Sequence, residues 1–385
     1  MNEMWDALAA GRSGIGPNIQ PELDVLQIRI NAAVKDFDPE AHFDAKDLPI
    51  LDRYTQFALV AAREAVAQSG LEFSDGLGAR TAVITGAGSG GMTTVDAAYK
   101  RLYQDGKLRV FPLTVPRLMV SAASSHITMA FGIRGPAYTI SSACSSANHA
   151  IGEAFNMIRF GRAEAAITGG AEACLTLGVL GAWQSLRVMA IDTCRPFSVD
   201  RKGMVLGEGA GMFVLETLEG AKARGADILA EIVGFGMTSD AGDIVQPSLD
   251  GVCGAISAAL DDAALAPDSV DYVNAHGTGT DINDVVETAA LHRVLGEHAK
   301  SIAVSSTKSM HGHALGGAGA LELAATLKAI EHQTAPPTAN FTQADPKCDL
   351  DYVPNEARAM TIDTALSNSF AFGGLNAVLA IKRVS

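Results

Sequence analysis

Thr139-Ile140-Ser141-Ser142-Ala143-Cys144-Ser145-Ser146-Ala147-Asn148-His149-Ala150 reads as a strand passing through a tight turn into a helix, with a cysteine at the junction. Upstream, Gly135-Pro136 is a turn signal and Ala137-Tyr138-Thr139-Ile140 a short β-branched and aromatic strand. Downstream, Ala147, Ala150, Ile151, Ala154 and Ile158 fall on one helical face until Gly161 stops it. Cys144 therefore sits beside a helix N-terminus, where unpaired N–H groups and the positive end of the dipole favour thiolate over thiol. Small neighbours leave room for a substrate to approach. A buried structural thiol is the commoner fate of an isolated cysteine, so the reading of Cys144 as a nucleophile depends on partners elsewhere in the chain.

Working outward, alternating strands and helices without a short repeat predict α/β layering. Leu51 to Gly70 is an amphipathic helix ending on Gly, and Trp5 to Gly16 the end of a helix followed by a turn. Thr81-Ala82-Val83-Ile84-Thr85 is a buried strand entering Gly86-Ala87-Gly88-Ser89-Gly90-Gly91, which formally matches a dinucleotide loop. The first acidic residue at a suitable distance, Asp105, lies in a turn, so close backbone packing is the better reading. Ala165 to Thr168 is a further strand, running into Gly169-Gly170-Ala171-Glu172, and Val205 to Leu215 closes the first half. In the second half, strands at Val270–Val273 and Ile302–Ser306 end in Asn274-Ala275-His276-Gly277-Thr278-Gly279-Thr280 and Thr307-Lys308-Ser309-Met310-His311-Gly312-His313. Ala365 to Asn376 adds a Phe- and Gly-rich loop before the last strand. Functional groups gathered at strand ends are where open α/β sheets build sites.

Composition bounds the function. With 385 residues, 48% hydrophobic and 19% charged, the chain is globular and large enough for two packed cores. A net charge of −14 argues against general nucleic-acid binding. The start has no basic and apolar leader pattern and no run is apolar enough to span a bilayer, so a cytoplasmic protein without membrane attachment is expected. Five scattered cysteines without a CxxC suggest neither a disulfide framework nor a thiolate zinc site.

Four segments carry a family resemblance over nearly the whole chain: Ser142-Ala143-Cys144, Asn274 to Thr280, Lys308 to His313, and Asn368-Ser369-Phe370-Ala371-Phe372-Gly373-Gly374. In this order they resemble the signatures of β-ketoacyl-[acyl-carrier-protein] synthases I and II, condensing enzymes of the thiolase fold. Trp183, Asp192 to Phe197 and the Met-His-Gly-His run look closest to the synthase II branch that includes nodulation protein E. The resemblance implies a five-layered αβαβα fold of two related halves, residues 1–228 with the cysteine and 229–385 with two histidines. It implies decarboxylative condensation of an acyl-Cys144 thioester with malonyl-carrier protein, acyl carrier protein as partner, a homodimer, and no bound cofactor beyond the phosphopantetheine that the carrier brings.

By the same resemblance, His276 and His313 are the partners of Cys144, and Lys308 with Glu322 sets the protonation of His313. The N–H groups of Cys144 and Phe372 form an oxyanion hole, and Phe372 gates the acyl site. Thr278 and Thr280 bind the phosphopantetheine arm, Phe370 contacts substrate, and Ser89 and Ala182 line the acyl pocket where bulkier residues are usual. Ala371 and Leu375 depart from the usual Gly and Thr, which puts the gate's flexibility in question. The strand and Thr-Gly-x-Gly turn usual before the Trp5–Gly14 segment is absent, so either a shortened start or a first sheet lacking an inner strand is expected. Lys46, Arg53, Lys100, Arg101 and Arg187 are the candidates for a basic carrier-docking patch.

Rival chemistries fit less well. A metal hydrolase using His276, His311 and His313 has no nearby carboxylate to orient its ligands and gives Cys144 no role. A chain-length partner subunit would lack the cysteine, and Cys348 is outside any Gly-rich motif, unlike a thiolase's second catalytic cysteine.

Overall fold

The computed structural model describes residues 1–74 and 76–384, and in it the junction at Cys144 is one corner of a mixed β-sheet. That sheet holds β1 (Thr81–Gly86), β2 (Ala137–Ile140), β3 (Ala165–Glu172) and β4 (Gly209–Glu216) in the order β2-β1-β3-β4. β1 pairs in parallel with β2 and β3, and β4 runs antiparallel to β3. Every residue of β1 and β3 is buried, as expected of strands covered on both faces.

The second sheet holds β5 (Glu231–Ser239), β6 (Tyr272–Asn274), β7 (Ala303–Ser305), β8 (Thr364–Ala371) and β9 (Leu375–Lys382). Its order is β5-β9-β8-β6-β7, with β6 parallel to β7 and β8, and β9 antiparallel to β8 and β5. Read from its other edge, β7-β6-β8-β9 repeats the connectivity and pairing of β2-β1-β3-β4, so the two halves share one topology.

The seven helices that build the layers are α1 (Arg53–Ser69), α2 (Ala122–Phe131), α3 (Ser146–Arg159), α4 (Leu177–Ser185), α5 (Leu249–Asp262), α6 (Asp281–Leu295) and α7 (Ala318–His332). α1 and α2 cover the outer face of the first sheet, while α5 lies on the outer face of the second and α6 packs on α5. α3 and α7 pack against each other and against both sheets, forming a shared middle layer. The α1 helix begins where the Asp52 carboxylate accepts the Tyr54 N–H at 3.2 Å and ends on Gly70 at φ 65°, as the sequence predicts.

One expectation is revised and another holds. The first sheet does have one strand fewer than the second, but the position without a counterpart is outside β4, where β5 sits at the edge of the other sheet. β1 and β3 are paired on both sides, so no inner strand is missing, and among the described residues the unpaired edges of this sheet are the outer sides of β2 and β4. The Gly86–Gly91 loop is filled from within, because Gly88 and Ser89 donate their N–H groups to the Glu172 carboxylate at 2.7 and 3.0 Å. The close-packing reading of that loop therefore holds over the dinucleotide one.

Contact between the halves leaves no space for larger side chains. A Cβ added at Gly152 on α3 would lie 2.4 Å from the Phe235 ring of β5. Gly152→Val is expected to destabilise the fold by about 1–3 kcal/mol, the usual cost of overpacking a core. An unchanged denaturation midpoint in that variant would contradict this contact.

Candidate active site

Cys144 occupies a single 3-10 turn, Ala143–Ser145, between β2 and α3. Ala143 has φ 50°, a conformation costly for a residue with a Cβ, and the flanking serines hold it there. The Ser146 hydroxyl donates to the Ala143 carbonyl at 2.6 Å and accepts the Ser142 N–H at 2.9 Å, while the Ser145 hydroxyl donates to the Ser142 carbonyl at 2.8 Å. His149, one turn into α3, lies 2.9 Å from the Ser142 hydroxyl.

His276 follows β6, and its backbone is fixed by a carboxylate from α6. Glu287 accepts the N–H groups of His276 and Gly277, each at 2.8 Å, and the Asn368 amide at 3.0 Å. One helical turn earlier, Asp284 accepts from Phe197 at 2.7 Å and from Gly279 at 3.2 Å. These carboxylates escaped the sequence reading, although acids in the first two turns of a helix just after a Gly-rich loop are placed to reach back to that loop's N–H groups.

Lys308, fully buried, is ion-paired to the fully buried Glu322 and donates to the His276 carbonyl at 2.7 Å. Its ammonium also lies 3.3 Å from His276 Nδ1. An ammonium can only donate, so Nδ1 accepts and Nε2 carries the ring proton. Lys308 thus contacts His276 and acts on the protonation of His313 through its charge. Burial, then Lys308, then the other imidazole hold the His276 pKa far below the ordinary range, and the same burial and lysine charge do so for His313. Both rings are neutral at physiological pH. Burial pushes Glu322 up to about 7 against the pull of Lys308.

The two imidazoles stand edge to face with centroids 5.4 Å apart. They line, with Cys144, Phe370, Ala371 and Phe372, a cavity of about 210 Å³ that also reaches Thr278 and Thr280. Neither ring nitrogen of His313 has a hydrogen-bond partner among the described residues, although the side chain is 1% exposed. His311 is different: its nitrogens are engaged by the Gly312 carbonyl at 2.8 Å and the Thr307 hydroxyl at 2.9 Å. Among the described residues no three His, Cys, Asp or Glu side chains are grouped to hold a metal ion.

Cys144 corrects the expectation of a resting thiolate. Burial pushes its thiol up to about 11, outweighing the Lys308 charge and the N–H groups of Phe372 and of Cys144 itself that face the sulfur. Ser89 and Ala182 are not on the cavity wall: the Ser89 N–H is drawn to Glu172, and Ala182 is solvent-exposed. The next residue on α4, Trp183, does line it, stacked on Phe372 at 5.6 Å. Ala371 ends β8 in extended pairing with Leu375, and the positive φ values of the loop fall on Gly373 and Gly374, at 83° and 69°, so the Gly-to-Ala departure is not where the turn needs glycine. Of the basic candidates, Arg187 lines the cavity and Lys202, not anticipated, joins it, whereas Arg53 is committed to Glu208 at 2.7 Å.

A two-sheet α/β fold with a buried cysteine and two neutral imidazoles on one cavity wall has the parts a condensing enzyme uses. Family models for the β-ketoacyl synthase N-terminal and C-terminal domains match residues 1–221 and 229–342. Nodulation protein E of Rhizobium sp. (strain N33) is 48% identical over 99% of this chain and 94% of its own length. The 3-oxoacyl-[acyl-carrier-protein] synthase 2 of Coxiella burnetii is 42% identical over 100% and 95%. The solved ishigamide ketosynthase/chain length factor matches with a TM-score of 0.95 at 36% identity, covering 100% of this chain and 95% of that one. The chain belongs to the β-ketoacyl synthase family, with the thiolase fold and the acyltransferase activity of acyl-chain elongation that this entails.

Since thiolate is the form that reacts, alkylation of Cys144 by iodoacetamide is expected to accelerate about tenfold per pH unit from about pH 7 to pH 9. Mass spectrometry of quenched samples reads that rate, and a plateau below about pH 8 would mean that thiolate is already present at rest.

Proposed function

We propose that Cys144 takes the acyl group from an acyl-carrier thioester and that His276 and His313 stabilise the enolate formed when a malonyl thioester loses CO2. The observation that carries this reading is His313: two unpaired ring nitrogens, buried on the wall of the Cys144 cavity, are costly unless a ligand completes them. In acyl transfer the Cys144 sulfur bonds the acyl carbon and the carrier's thiolate leaves, taking the proton that the cysteine gives up. Malonyl thioester then breaks its bond to the carboxylate, releasing CO2, and the electron pair forms an enolate. Nε2–H of His276 and an N–H of His313 donate to the enolate oxygen. The enolate carbon attacks the acyl-Cys144 carbonyl, whose oxygen the Cys144 and Phe372 N–H groups receive, and the Cys144 thiolate departs and takes up a proton.

Lys308 supports this by fixing the His276 tautomer, and Glu322 supports the lysine by balancing a charge that has no access to water. Thr278 and Thr280, hydroxyls 2.9 Å apart on the cavity wall, suit the amides of a phosphopantetheine arm. Phe370 borders the reacting centre and Phe372 its acyl side, with Trp183 stacked on it. Chain-length selection accordingly falls to Trp183 and Phe372 more than to Ser89 or Ala182. No bound cofactor is called for, since the reactive thiol arrives on the carrier protein. Arg187 and Lys202 at the mouth suit an acidic carrier in an otherwise acidic chain.

A homodimer is part of the proposal. The outer edge of β2 is unpaired, and Tyr103, Leu108, Met119 and Met129 on the segments before it are 80%, 90%, 48% and 66% exposed. A second copy adding edge to edge would cover both. No helix among the described residues is long and apolar enough to cross a membrane, and all five cysteines are free, which supports a reducing cytoplasmic setting.

The test is an assay with acyl-carrier proteins of graded length and malonyl-carrier protein. Cys144→Ala is expected to abolish acyl-enzyme formation by mass spectrometry, and acylation of another residue would refute the assignment. His276→Ala and His313→Ala should each lower CO2 release from malonyl-carrier protein at least about a hundredfold, the scale of losing an oxyanion donor, with acylation of Cys144 retained. Trp183→Ala should shift preference among the graded primers while Ser89→Ile leaves it in place; the reverse pattern would return the pocket floor to Ser89.

A further inference from the structure

The Gly86–Gly91 loop and the Gly169–Glu172 run stand out in the sequence, and the reaction just described uses neither. They meet at Glu172. Its side chain is fully buried at the end of β3, forms no ion pair among the described residues, and sits among backbone donors only. One oxygen accepts the Gly88 N–H at 2.7 Å and the Gly316 N–H at 3.1 Å, and the other accepts the Ser89 N–H at 3.0 Å. Gly88 and Ser89 belong to the half that carries Cys144. Gly316 belongs to the other half and lies three residues after His313.

We propose that Glu172 is a positioning residue for the condensation step: its carboxylate clamps the turn that follows His313 onto the half of the molecule that carries Cys144. The turn concerned, Leu315–Gly317, packs directly on the Ala143–Ser145 turn, with Leu315 in the same apolar cluster as Cys144 and Ala143. The approach is as close as backbones permit. A Cβ at Gly316 would stand 2.1 Å from the Gly88 nitrogen, and one at Gly88 would stand 2.8 Å from the Glu172 carboxylate. Three donors converging from two segments need an acceptor with lone pairs on both atoms. A carboxylate supplies this, whereas an amide would turn an NH2 group toward at least one N–H.

Catalysis feels the clamp unequally. The Cys144 turn is locked by its own serine hydroxyls; His313 is held to the Cys144 half by backbone bonds to Val205 and Gly207 at 2.7 and 3.0 Å, and the turn after it is tethered to that half, among the side-chain bonds of the described residues, by Glu172 alone. Loosening it displaces the enolate donor and leaves the nucleophile in place. Burial also pushes Glu172 up to about 7, with the Gly88, Ser89, Gly316 and Gly90 N–H groups pulling it back. The titratable groups that face it are Cys144, Cys174 and Tyr54, all raised and so neutral near pH 7; the nearby Arg53 and Glu208 satisfy each other. Because closure strips the carboxylate of water and so raises its pKa, the closed clamp binds a proton more tightly than an opened one would, and opening becomes rarer as pH falls through about 7.

This inference rests on His313 acting as an enolate donor, and the test separates the two. Glu172→Gln is expected to slow CO2 release from malonyl-carrier protein about tenfold or more, because small misplacement of a reacting group is costly. Acylation of Cys144 and the KM for malonyl-carrier protein should stay within about threefold, the mark of an interaction made in one step only. Equal losses in both half-reactions, or none, would overturn the clamp. Should the variant not fold, hydrogen exchange on the unaltered protein decides. Corrected for intrinsic rates, protection of residues 86–91 and 314–317 should rise together between about pH 8 and pH 6 as the buried carboxylate is protonated, and pH-independent protection, or two segments that respond separately, would overturn the proposal. If the unaltered protein released no CO2 at all, the enolate reading would fail, while exchange would still report on Glu172.

Discussion

Two helices share the single layer between the two sheets, and the room available there governs the rest of the molecule. α3 carries Cys144 at its start, and α7 follows the His313 loop, so their approach sets the distance between nucleophile and imidazoles. That approach is made by small residues. A Cβ at Gly319 on α7 would lie 2.3 Å from the Asn148 side-chain oxygen on α3, and one at Gly86 would lie 2.4 Å from the Ser146 backbone. Asn148 in turn donates to the Ser367 carbonyl at 3.0 Å, stitching α3 to the central strand of the other half. A site assembled from both halves can be held to fractions of an ångström only if the interface between them is as close-packed as a core.

Such packing excludes water, and the electrostatics follow from that. A lysine with no solvent exposure survives because Glu322 pairs with it and the His276 carbonyl and ring accept from it. Burial first, and then the lysine charge, disfavour a further positive charge there, which keeps both histidines neutral and available as donors. A carboxylate hydrogen-bonded to either ring would reverse this by favouring imidazolium. The carboxylates near the site, Glu287 and Asp284, spend their lone pairs on backbone N–H groups instead.

Most of this architecture could be read from the chain because it rests on local pattern. Apolar runs mark the buried strands, and a cysteine at a strand-to-helix junction, histidines after two further strands and a Phe/Gly loop mark the site. What escaped depends on side-chain direction across the interface. Nothing in the order of residues says that Lys308 reaches His276 and not the nearer-in-sequence His313, that Arg53 is taken by Glu208, or that Trp183 and not Ala182 turns inward. The four serines around Cys144 read as small neighbours, whereas Ser142, Ser145 and Ser146 hold Ala143 in a left-handed conformation. The thiol was misread because a helix terminus is visible in sequence and the desolvation that outweighs it is not.

That desolvation is less of a handicap than it first looks. Burial penalises charge, so it penalises thiolate Cys144, but the species that must accumulate in the proposed reaction is a neutral thioester. Exchange of an acyl group between the carrier thiol and Cys144 trades one thioester for another, and a buried apolar setting stabilises the acyl-enzyme relative to the bare thiolate. The enolate is charged as well, but it forms where His276 and His313 present donors that have already given up water, so little reorganisation remains at the moment of reaction. Loss of CO2 supplies the direction. A site built in this way needs no strongly activated nucleophile; it needs two halves held rigidly enough that an acylated sulfur and a nascent enolate meet at bonding distance.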